Sequence, residues 1–192
     1  MYEGIYENLL EKVLSGNETV LLTFMKSNDN TSGQIVSKLT STIDNLKDNL
    51  NGIDNYELLY DKSLESIQSG NPQLVEINDY ETILIEPFFP EPRLVILGGG
   101  HIAKPLGELG ARAGFSVAVV DDRPFFANEN RFPDADKIIC NDFEIAIEKL
   151  QLNKADFVVI VTRGHKHDGV CLRKVLGYET NNVGMIGSKR RV

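Results

Sequence analysis

An apolar run that breaks into three glycines is the feature that most constrains the fold of this chain. Leu94–Leu97 are four consecutive aliphatic residues, and Gly98–Gly100 follow them directly. A short aliphatic run of this kind is typical of a strand buried on both faces, as in a parallel sheet covered by helices. Gly98, Gly100 and Ala103 fit the pattern G-x-G-x-x-G/A, in which a tight turn opens a helix that faces an anion. The stretch therefore predicts a strand, a phosphate-binding loop and the start of a helix.

A second apolar run ends in two acids where a ribose-binding residue is expected. Phe115–Val120 are followed by Asp121, roughly 20 residues past the glycines. Asp121, or its neighbour Asp122, is predicted to accept hydrogen bonds from the hydroxyls of a ligand's sugar. Arg123 suits a 2′-phosphate, with a local ion pair as its alternative role. NAD and NADP are therefore both open as ligands.

Strands and helices alternate through the rest of the second half. Further apolar runs at 137–140, 155–161 and 182–186 are separated by helical segments. This order predicts a doubly wound parallel, Rossmann-like sheet over residues 93–192 with strand order 3-2-1-4-5.

The first half predicts a smaller mixed α/β domain over residues 1–85. Helical spacing indicates a helix over 5–14, and an apolar run indicates a strand over 20–25. Residues 34–50 are ambiguous, and their spacing of Ile and Leu favours a helix over short strands. A helix over 63–68 and a strand pair at 73–77 and 82–85 follow. Residues 86–92 contain three prolines and are predicted to form a linker.

Charge is distributed unevenly along the chain. The net charge is −8 over 192 residues, but residues 1–90 carry −10 and residues 91–192 carry +2, with all arginines in the second part. The acidic total argues against a nucleic-acid partner, whereas the arginines suit an anionic ligand. No apolar run approaches the roughly 20 residues of a membrane span. Two cysteines, Cys140 and Cys171, form no disulfide framework, so we expect the cytoplasm.

Polar residues follow several strands, at the edge where ligands bind in such sheets. Thr162–Asp168 could bind an anionic group, act as an acid–base pair, ligate a metal or simply cap a helix. We assign no metal and no catalytic residue, because two histidines without further ligands form an incomplete metal set. A basic run after the fifth strand suits a phosphate, with a solvated surface as its alternative. The candidate cofactor-binding residues are Gly98, Gly99, Gly100, His101, Ala103, Asp121, Asp122, Arg123, Thr162, Arg163, Gly164, His165, His167, Asp168, Ser188, Lys189 and Arg190.

Several blocks together resemble the XdhC/CoxI proteins, accessory factors in the maturation of xanthine dehydrogenase and carbon monoxide dehydrogenase. The blocks are LVILGGGHIA (94–103), VVDDRP (119–124), RFPDAD (131–136), TRGHKHD (162–168) and VGMIGSKRR (183–191). The resemblance implies a factor that binds molybdenum cofactor (molybdopterin), assists its sulfuration and delivers it. Its implied partners are a client molybdenum hydroxylase and a sulfur donor, and a homodimer is left open. The family's sequence continues past the position of Val192, so the resemblance also implies a Rossmann-like domain that is incomplete at its C-terminus.

The amino-terminal domain departs from the family pattern. The family usually carries a Gly-Ser-Ser/Thr-Pro-Arg segment and a later Gly-Gly-Cys motif there, whereas residues 27–31 read Ser-Asn-Asp-Asn-Thr and no cysteine precedes Cys140. A cofactor chaperone is the favoured function, ahead of an enzyme. An NAD(P)-dependent oxidoreductase, with His165 or His167 as proton donor, and a nucleotide-sensing module remain open.

Overall fold

The computed structural model describes residues 3–27, 33–163 and 165–187, apart from the side chains of Glu3, His165 and Lys166. The chain divides into two compact units, Met1–Pro90 and Glu91–Val192, which we call the amino-terminal and the carboxyl-terminal unit. Within the described ranges, every helix is too short or too polar to cross a lipid bilayer.

The amino-terminal unit is an antiparallel sheet packed against helices. Its elements are α1 (Glu3–Leu14), β1 (Thr19–Ser27), β2 (Gly33–Thr42), α2 (Leu46–Leu50), α3 (Tyr56–Ser69), β3 (Gln73–Asn78) and β4 (Glu81–Phe88). The strand order is β2-β1-β4-β3. Leu46 and Leu50 of α2 and Leu59 of α3 are buried against apolar side chains of β1 and β4, among them Leu22 and Ile85. A smaller mixed α/β unit therefore precedes the Rossmann-like part, as predicted.

The helix expected over residues 34–50 is wrong for most of its length. Residues 33–42 form β2, which pairs with β1 from Ser27↔Gly33 to Thr19↔Thr42, and only Leu46–Leu50 are helical. Ile35 and Leu39 do recur at helical spacing, but the segment is rich in Ser and Thr, which suit a strand better than a helix interior. The segment therefore pairs as a strand along the whole of β1, against the helical spacing of its apolar residues.

The predicted linker begins too early. Residues 86–88 belong to β4, where Pro87 lies opposite Val20 of β1, so only residues 89–92 separate β4 from the next strand. The proline is tolerated because β3 pairs with β4 only up to Gln73↔Ile85. Beyond that point β4 has a neighbour on one side, and a missing N–H on the other side breaks no ladder hydrogen bond.

The carboxyl-terminal unit confirms the predicted doubly wound sheet. Its elements are β5 (Arg93–Leu97), α4 (Ala103–Arg112), β6 (Ser116–Asp121), β7 (Lys137–Cys140), α5 (Phe143–Leu150), β8 (Asp156–Ile160), α6 (His165–Val175) and β9 (Asn182–Met185). All pairs are parallel, in the order β7-β6-β5-β8-β9. The order is the predicted 3-2-1-4-5, and it places the reversal of direction between β5 and β8.

The sheet is buried on both faces. On one face Val95, Val120 and Ile160 pack against α5 and α6, and on the other Ile96 and Val119 pack with α4. This double burial explains why the strands are continuous aliphatic runs. In a sheet of this kind the crevice at the carboxyl ends of the strands, at the reversal point, is where a ligand is expected.

Candidate functional site

A cleft lies at the carboxyl ends of the parallel strands, beside the reversal point. It has a volume of about 470 Å³, and we call it the main cleft. It is lined by Gly100, His101, Ile102, Arg123, Phe126, Arg131, Val161, Thr162, Arg163 and Ile186. Three of these side chains are guanidinium groups and none is a carboxylate, so the lining favours an anionic ligand.

A second cleft adjoins the first. This smaller cleft has a volume of about 250 Å³ and is lined by Asp121, Asp122, Arg123, Phe143, Arg163 and His167. It shares Arg123 and Arg163 with the main cleft. His167 lies here, with its ring centroid 5.5 Å from that of Phe143, and not in the main cleft beside His101. The two described histidine side chains of the site are therefore in different clefts.

The three glycines after β5 have different roles. Gly98 has a φ of +112°, and a Cβ there would lie 2.6 Å from the Val161 carbonyl oxygen. A Cβ on Gly99 would lie 2.3 Å from the carbonyl oxygen of Phe126, whereas one on Gly100 would meet nothing within 4 Å. Gly98 and Gly99 are thus required by the packing of the protein itself, and their role as ligand contacts stays a prediction. Gly100 alone borders the main cleft.

The helix after the loop begins as the glycine pattern predicts. Ala103 is fully buried and packs with Ile96 and Val119, so a small residue is needed where α4 approaches the sheet. The first N–H groups of a helix have no partner within the helix. Pro105 stands in this first turn, where its missing N–H costs no hydrogen bond. The start of α4 can therefore present main-chain N–H groups to an anion.

Asp121 is bound by the protein instead of facing a ligand. Its Oδ2 accepts hydrogen bonds from Gly99 N–H (2.8 Å) and Arg123 Nη2 (3.0 Å), and its Oδ1 accepts from Arg123 Nε (2.9 Å) and Arg123 N–H (3.0 Å). Burial alone would raise the pKa of Asp121, but these hydrogen bonds and the charge of Arg123 outweigh it and hold the pKa below its ordinary value. All four of these donors belong to the protein, and the expected sugar contact stays a prediction. Asp122 is more exposed and borders the smaller cleft.

Phe126 and Arg131, which the sequence did not single out, complete the wall of the main cleft. Arg131 donates from Nε to the Gly99 carbonyl (2.8 Å) and from Nη2 to the Gly100 carbonyl (2.9 Å). The guanidinium carbon of Arg123 lies 3.9 Å from the centroid of the Phe126 ring, and that of Arg131 lies 5.4 Å from it. Both residues follow β6 in the chain. An Arg and aromatic cluster in a loop after a strand was the signal that could have identified them.

The loop between β8 and α6 contributes to both clefts. The hydroxyl of Thr162 donates to the carboxylate of Asp168, and both residues are buried. This hydrogen bond joins the end of β8 to the first turn of α6, so Asp168 has a structural partner. Arg163 is exposed and borders both clefts. Arg163 is therefore a single cation that both clefts share, and the hydrogen bond between Thr162 and Asp168 holds the loop that carries it.

Some predicted site residues lie outside the described residues. These are Gly164, Ser188, Lys189 and Arg190, together with residues 28–31 of the divergent amino-terminal segment. His165 begins α6, but its side chain is outside the description as well. Among the side chains that are described, His, Cys, Asp and Glu form no group of three placed to hold a metal ion.

Comparisons with known proteins place this site in a recognisable domain. A family model described as the XdhC Rossmann domain matches residues 94–192, about half of the chain. A protein of Bacillus subtilis described as a probable xanthine dehydrogenase subunit is 30% identical over 133 residues, which are 68% of this chain and 40% of that protein. The uncharacterized protein YqeB of Escherichia coli is 25% identical over 147 residues, 69% of this chain and 27% of YqeB. The chain thus spans less than half the length of either relative.

The fold is also found in a solved structure. A crystal structure described as a xanthine dehydrogenase of Bacillus halodurans aligns with 95% of this chain and 80% of its own, with a TM-score of 0.51 and 20% identity. At this level of identity the likeness concerns the fold.

Proposed function

Because the chain belongs to the XdhC family, we propose that it is an accessory factor for a molybdenum hydroxylase of the xanthine dehydrogenase type. In this proposal the main cleft binds a phosphate-bearing cofactor, with molybdenum cofactor as the first candidate. The chain then assists sulfuration of the cofactor and its insertion into the client enzyme. The function is that of a cofactor chaperone, so no catalytic residue is assigned.

The observation that supports this proposal is the composition of the main cleft. Arg123, Arg131 and Arg163 border it, and no carboxylate among the described residues does. Guanidinium groups bind phosphate through paired N–H donors, and those hydrogen bonds are stronger than neutral ones. Gly100 leaves open space next to the start of α4, where a phosphate can approach main-chain N–H groups. A phosphate group therefore fits the cleft on charge, on donors and on space.

The lining also fits the rest of such a cofactor. Molybdenum cofactor supplies the metal centre of the client hydroxylase, and its organic part combines a phosphate with a ring system. Ile102, Phe126, Val161 and Ile186 give the main cleft an apolar part beside its cations. Sites for ligands of this kind are mostly apolar with a few polar groups that fix orientation. Arg163 and the start of α4 would hold the phosphate, and the apolar residues would cover the ring.

The partners in this proposal follow from the family. They are the client hydroxylase, a separate sulfur donor and a second copy of the chain, with the cytoplasm as the compartment. Alanine substitution of Arg163, His165 or His167 is expected to leave the fold intact and to impair activation of a client hydroxylase. Activation is measured with protein loaded with cofactor, and the oxidised substrate of the hydroxylase is followed. Three variants equal to the wild type would reduce this loop to a helix cap.

Calorimetric titration of the full chain tests the binding itself. Molybdopterin, NAD and NADP serve as ligands, and Gly100→Val is the variant. Its side chain would enter open space next to the cleft, so the protein should fold while ligand binding falls below detection. Gly33→Val is the matched control, since Gly33 also has nothing within 4 Å of its Cβ position and lies in the amino-terminal unit. Unchanged binding by Gly100→Val would remove the glycine loop from the proposal.

The same protein is assayed as an NAD(P)-dependent oxidoreductase. That function needs a proton donor beside the nicotinamide, for which His165 and His167 are the candidates. His167 lies in the smaller cleft, apart from the glycine loop. Oxidation of nicotinamide over a panel of small carbonyl compounds by the wild type, but not by His165→Ala or His167→Ala, would favour the oxidoreductase over the chaperone.

A further inference from the structure

We propose that the site selects its ligand by phosphate charge and does not recognise a ribose diol, because the acid at the end of β6 is used to hold the glycine loop. This inference rests on the proposed binding of a phosphate-bearing ligand in the main cleft. It assigns Asp121 as a positioning residue, gives Arg131 a positioning role in addition to its place in the wall of the main cleft, and leaves recognition to the cations that border the clefts.

The first step concerns the acceptor capacity of Asp121. An ionised carboxylate has about four acceptor positions on its two oxygens. Asp121 accepts four hydrogen bonds within the protein, one from Gly99 N–H and three from Arg123. Its side chain is 1% exposed. A ribose diol would therefore have to displace a protein donor from Asp121 before it could donate to this carboxylate.

The second step concerns what those hydrogen bonds hold in place. The peptide groups of the loop are bound from two sides: Asp121 accepts the Gly99 N–H, and Arg131 donates to the carbonyls of Gly99 and Gly100. One planar guanidinium makes both of the Arg131 contacts, which fixes the relative orientation of two neighbouring carbonyls. Asp121 and Arg131 therefore fix the loop in one conformation before any ligand arrives.

The third step concerns the donors that remain for a ligand. A guanidinium has five N–H donors. Arg123 uses two of them on the Asp121 carboxylate and Arg131 uses two on the loop carbonyls, so each keeps donors while bordering the main cleft. Arg163 is exposed and borders both clefts. The charged groups that border the main cleft are thus cations, and their N–H donors bind charged phosphate oxygens more strongly than neutral hydroxyl oxygens.

Two pairs of nucleotides test this on the full chain by calorimetry. ADP and 2′-deoxy-ADP differ in one hydroxyl, and they should bind within about twofold of each other if no diol is recognised. NADP carries one phosphate more than NAD and should bind about tenfold more tightly, since one charge-assisted hydrogen bond contributes roughly a factor of ten. A carboxylate that binds the diol gives the reverse: 2′-deoxy-ADP about tenfold weaker than ADP, and NAD tighter than NADP.

Three variants separate positioning from contact. Asp121→Asn and Arg131→Lys should weaken all four nucleotides by the same factor and should speed amide hydrogen exchange at Gly99 and Gly100, because both disturb the loop. Arg131→Lys retains the charge and Asp121, so it serves as the second variant if Asp121→Asn fails to fold. Glu65→Gln, on the exposed surface of α3 in the amino-terminal unit, is the control and should change neither affinity nor exchange.

The outcomes are distinct. If 2′-deoxy-ADP binds about tenfold more weakly than ADP, and Asp121→Asn or Asp122→Asn removes that difference, a diol is recognised and the inference is wrong. If Asp121→Asn and Arg131→Lys leave binding and exchange unchanged, the positioning role is wrong. If molybdopterin binds and none of the four nucleotides does, phosphate charge is not what selects the ligand, and the inference is wrong while the proposed function stands. If molybdopterin does not bind either, the proposed function itself is wrong.

Discussion

The two units bury polar groups of different kinds. In the described part of the amino-terminal unit, the buried polar residues are all hydroxyl side chains: Thr19, Thr23, Thr40, Ser41, Thr42, Ser63 and Ser66. In the carboxyl-terminal unit they are three carboxylates and one hydroxyl: Asp121, Asp156, Thr162 and Asp168. Each of these four has a hydrogen-bond partner, whereas the hydroxyls of Thr23, Thr42 and Ser63 have none among the described residues.

The difference shows where each unit needs a defined geometry. A buried carboxylate is costly unless it is paired and hydrogen-bonded, so it is found where several main-chain groups must be held at once. Asp121 holds the N–H groups of Gly99 and Arg123 in this way, and Asp168 accepts from the Thr162 hydroxyl, both next to the clefts at the carboxyl ends of the strands. A buried hydroxyl is a small neutral polar group in an apolar core, and it holds few neighbouring groups in position. The unit with the clefts is thus the one whose loops are held by charge.

The largest effect is expected from removing a buried carboxylate that joins two strands. Asp156 accepts from Arg93 Nε (2.6 Å) and Nη2 (2.8 Å) and from Asn153 N–H (2.7 Å), and it is fully buried. Asp156→Ala leaves Arg93 partly buried without its counter-charge, so we expect a loss of about 3 kcal/mol in the free energy of unfolding. Urea unfolding, read by hydrogen exchange of the β5 and β8 amides, measures it.

An exposed ion pair in the other unit is the control. Lys62 and Glu65 lie 2.6 Å apart on the surface of α3. Glu65→Gln should leave the urea midpoint of the amino-terminal unit within error, because solvent screens exposed pairs. Equal losses for Asp156→Ala and Glu65→Gln would contradict the claim that the carboxylates of the two units differ in role.

The next effect compares two glycines of one loop. Gly98→Ala places a side chain at a φ of +112° and 2.6 Å from the Val161 carbonyl oxygen, so we expect a loss of at least about 2 kcal/mol in unfolding free energy. Gly100→Ala meets nothing within 4 Å and should leave stability almost unchanged. Thermal unfolding of both variants measures the difference. Similar melting temperatures for the two would mean that the loop is not fixed as the structure has it.

The carboxyl-terminal fold could be predicted because its strands are buried on both faces. Continuous aliphatic runs such as Leu94–Leu97 indicate buried parallel strands, and the glycine pattern indicates that the first of these strands leads through a loop into a helix. The strands of the amino-terminal sheet could be predicted less accurately from the sequence. β2 is exposed over residues 33–37, so apolar alternation there is weak and the helical spacing of Ile35 and Leu39 was misleading.

The site was predicted in place but not in detail. Its position at the strand ends follows from the fold, and Gly100, His101, Arg123, Thr162 and Arg163 do meet at the main cleft. The roles of other residues depend on distances across the chain. Arg131 reaches loop carbonyls 31 and 32 residues away, and the carboxylate of Asp121 accepts an N–H 22 residues away. Sequence spacing gives no information on how these hydrogen bonds are distributed.

The pH dependence of stability tests the buried carboxylate of the loop. The pKa of Asp121 is held below its ordinary value, so its ionised form stabilises the folded state. This contribution is present above the unfolded pKa of about 3.9, and it is lost as pH falls through the lower folded value. The stability difference between wild type and Asp121→Asn should therefore stay constant from pH 7 to 5 and shrink below pH 4. Urea midpoints at pH 7, 5 and 3 measure it, with Asp122→Asn as control. A difference that already shrinks between pH 7 and 5 would contradict the lowered pKa.

The smallest effect comes from two serines on one helix of the amino-terminal unit. Ser63 and Ser66 are both fully buried in α3, but Ser66 donates to the carbonyl of Asn71 (2.8 Å), whereas the Ser63 hydroxyl has no partner among the described residues. Ser66→Ala should cost about 1 kcal/mol, since a hydrogen bond is lost and the Asn71 carbonyl is left without it. Ser63→Ala removes only a buried hydroxyl that makes no bond, so it should be neutral or stabilising by up to about 1 kcal/mol. Alanine is also the better helix former in both cases, which shifts the two values equally. Urea unfolding of the pair therefore isolates the hydrogen bond. If Ser63→Ala is as destabilising as Ser66→Ala, the Ser63 hydroxyl has a partner in solution, and the contrast between the polar groups of the two units is smaller than the structure indicates.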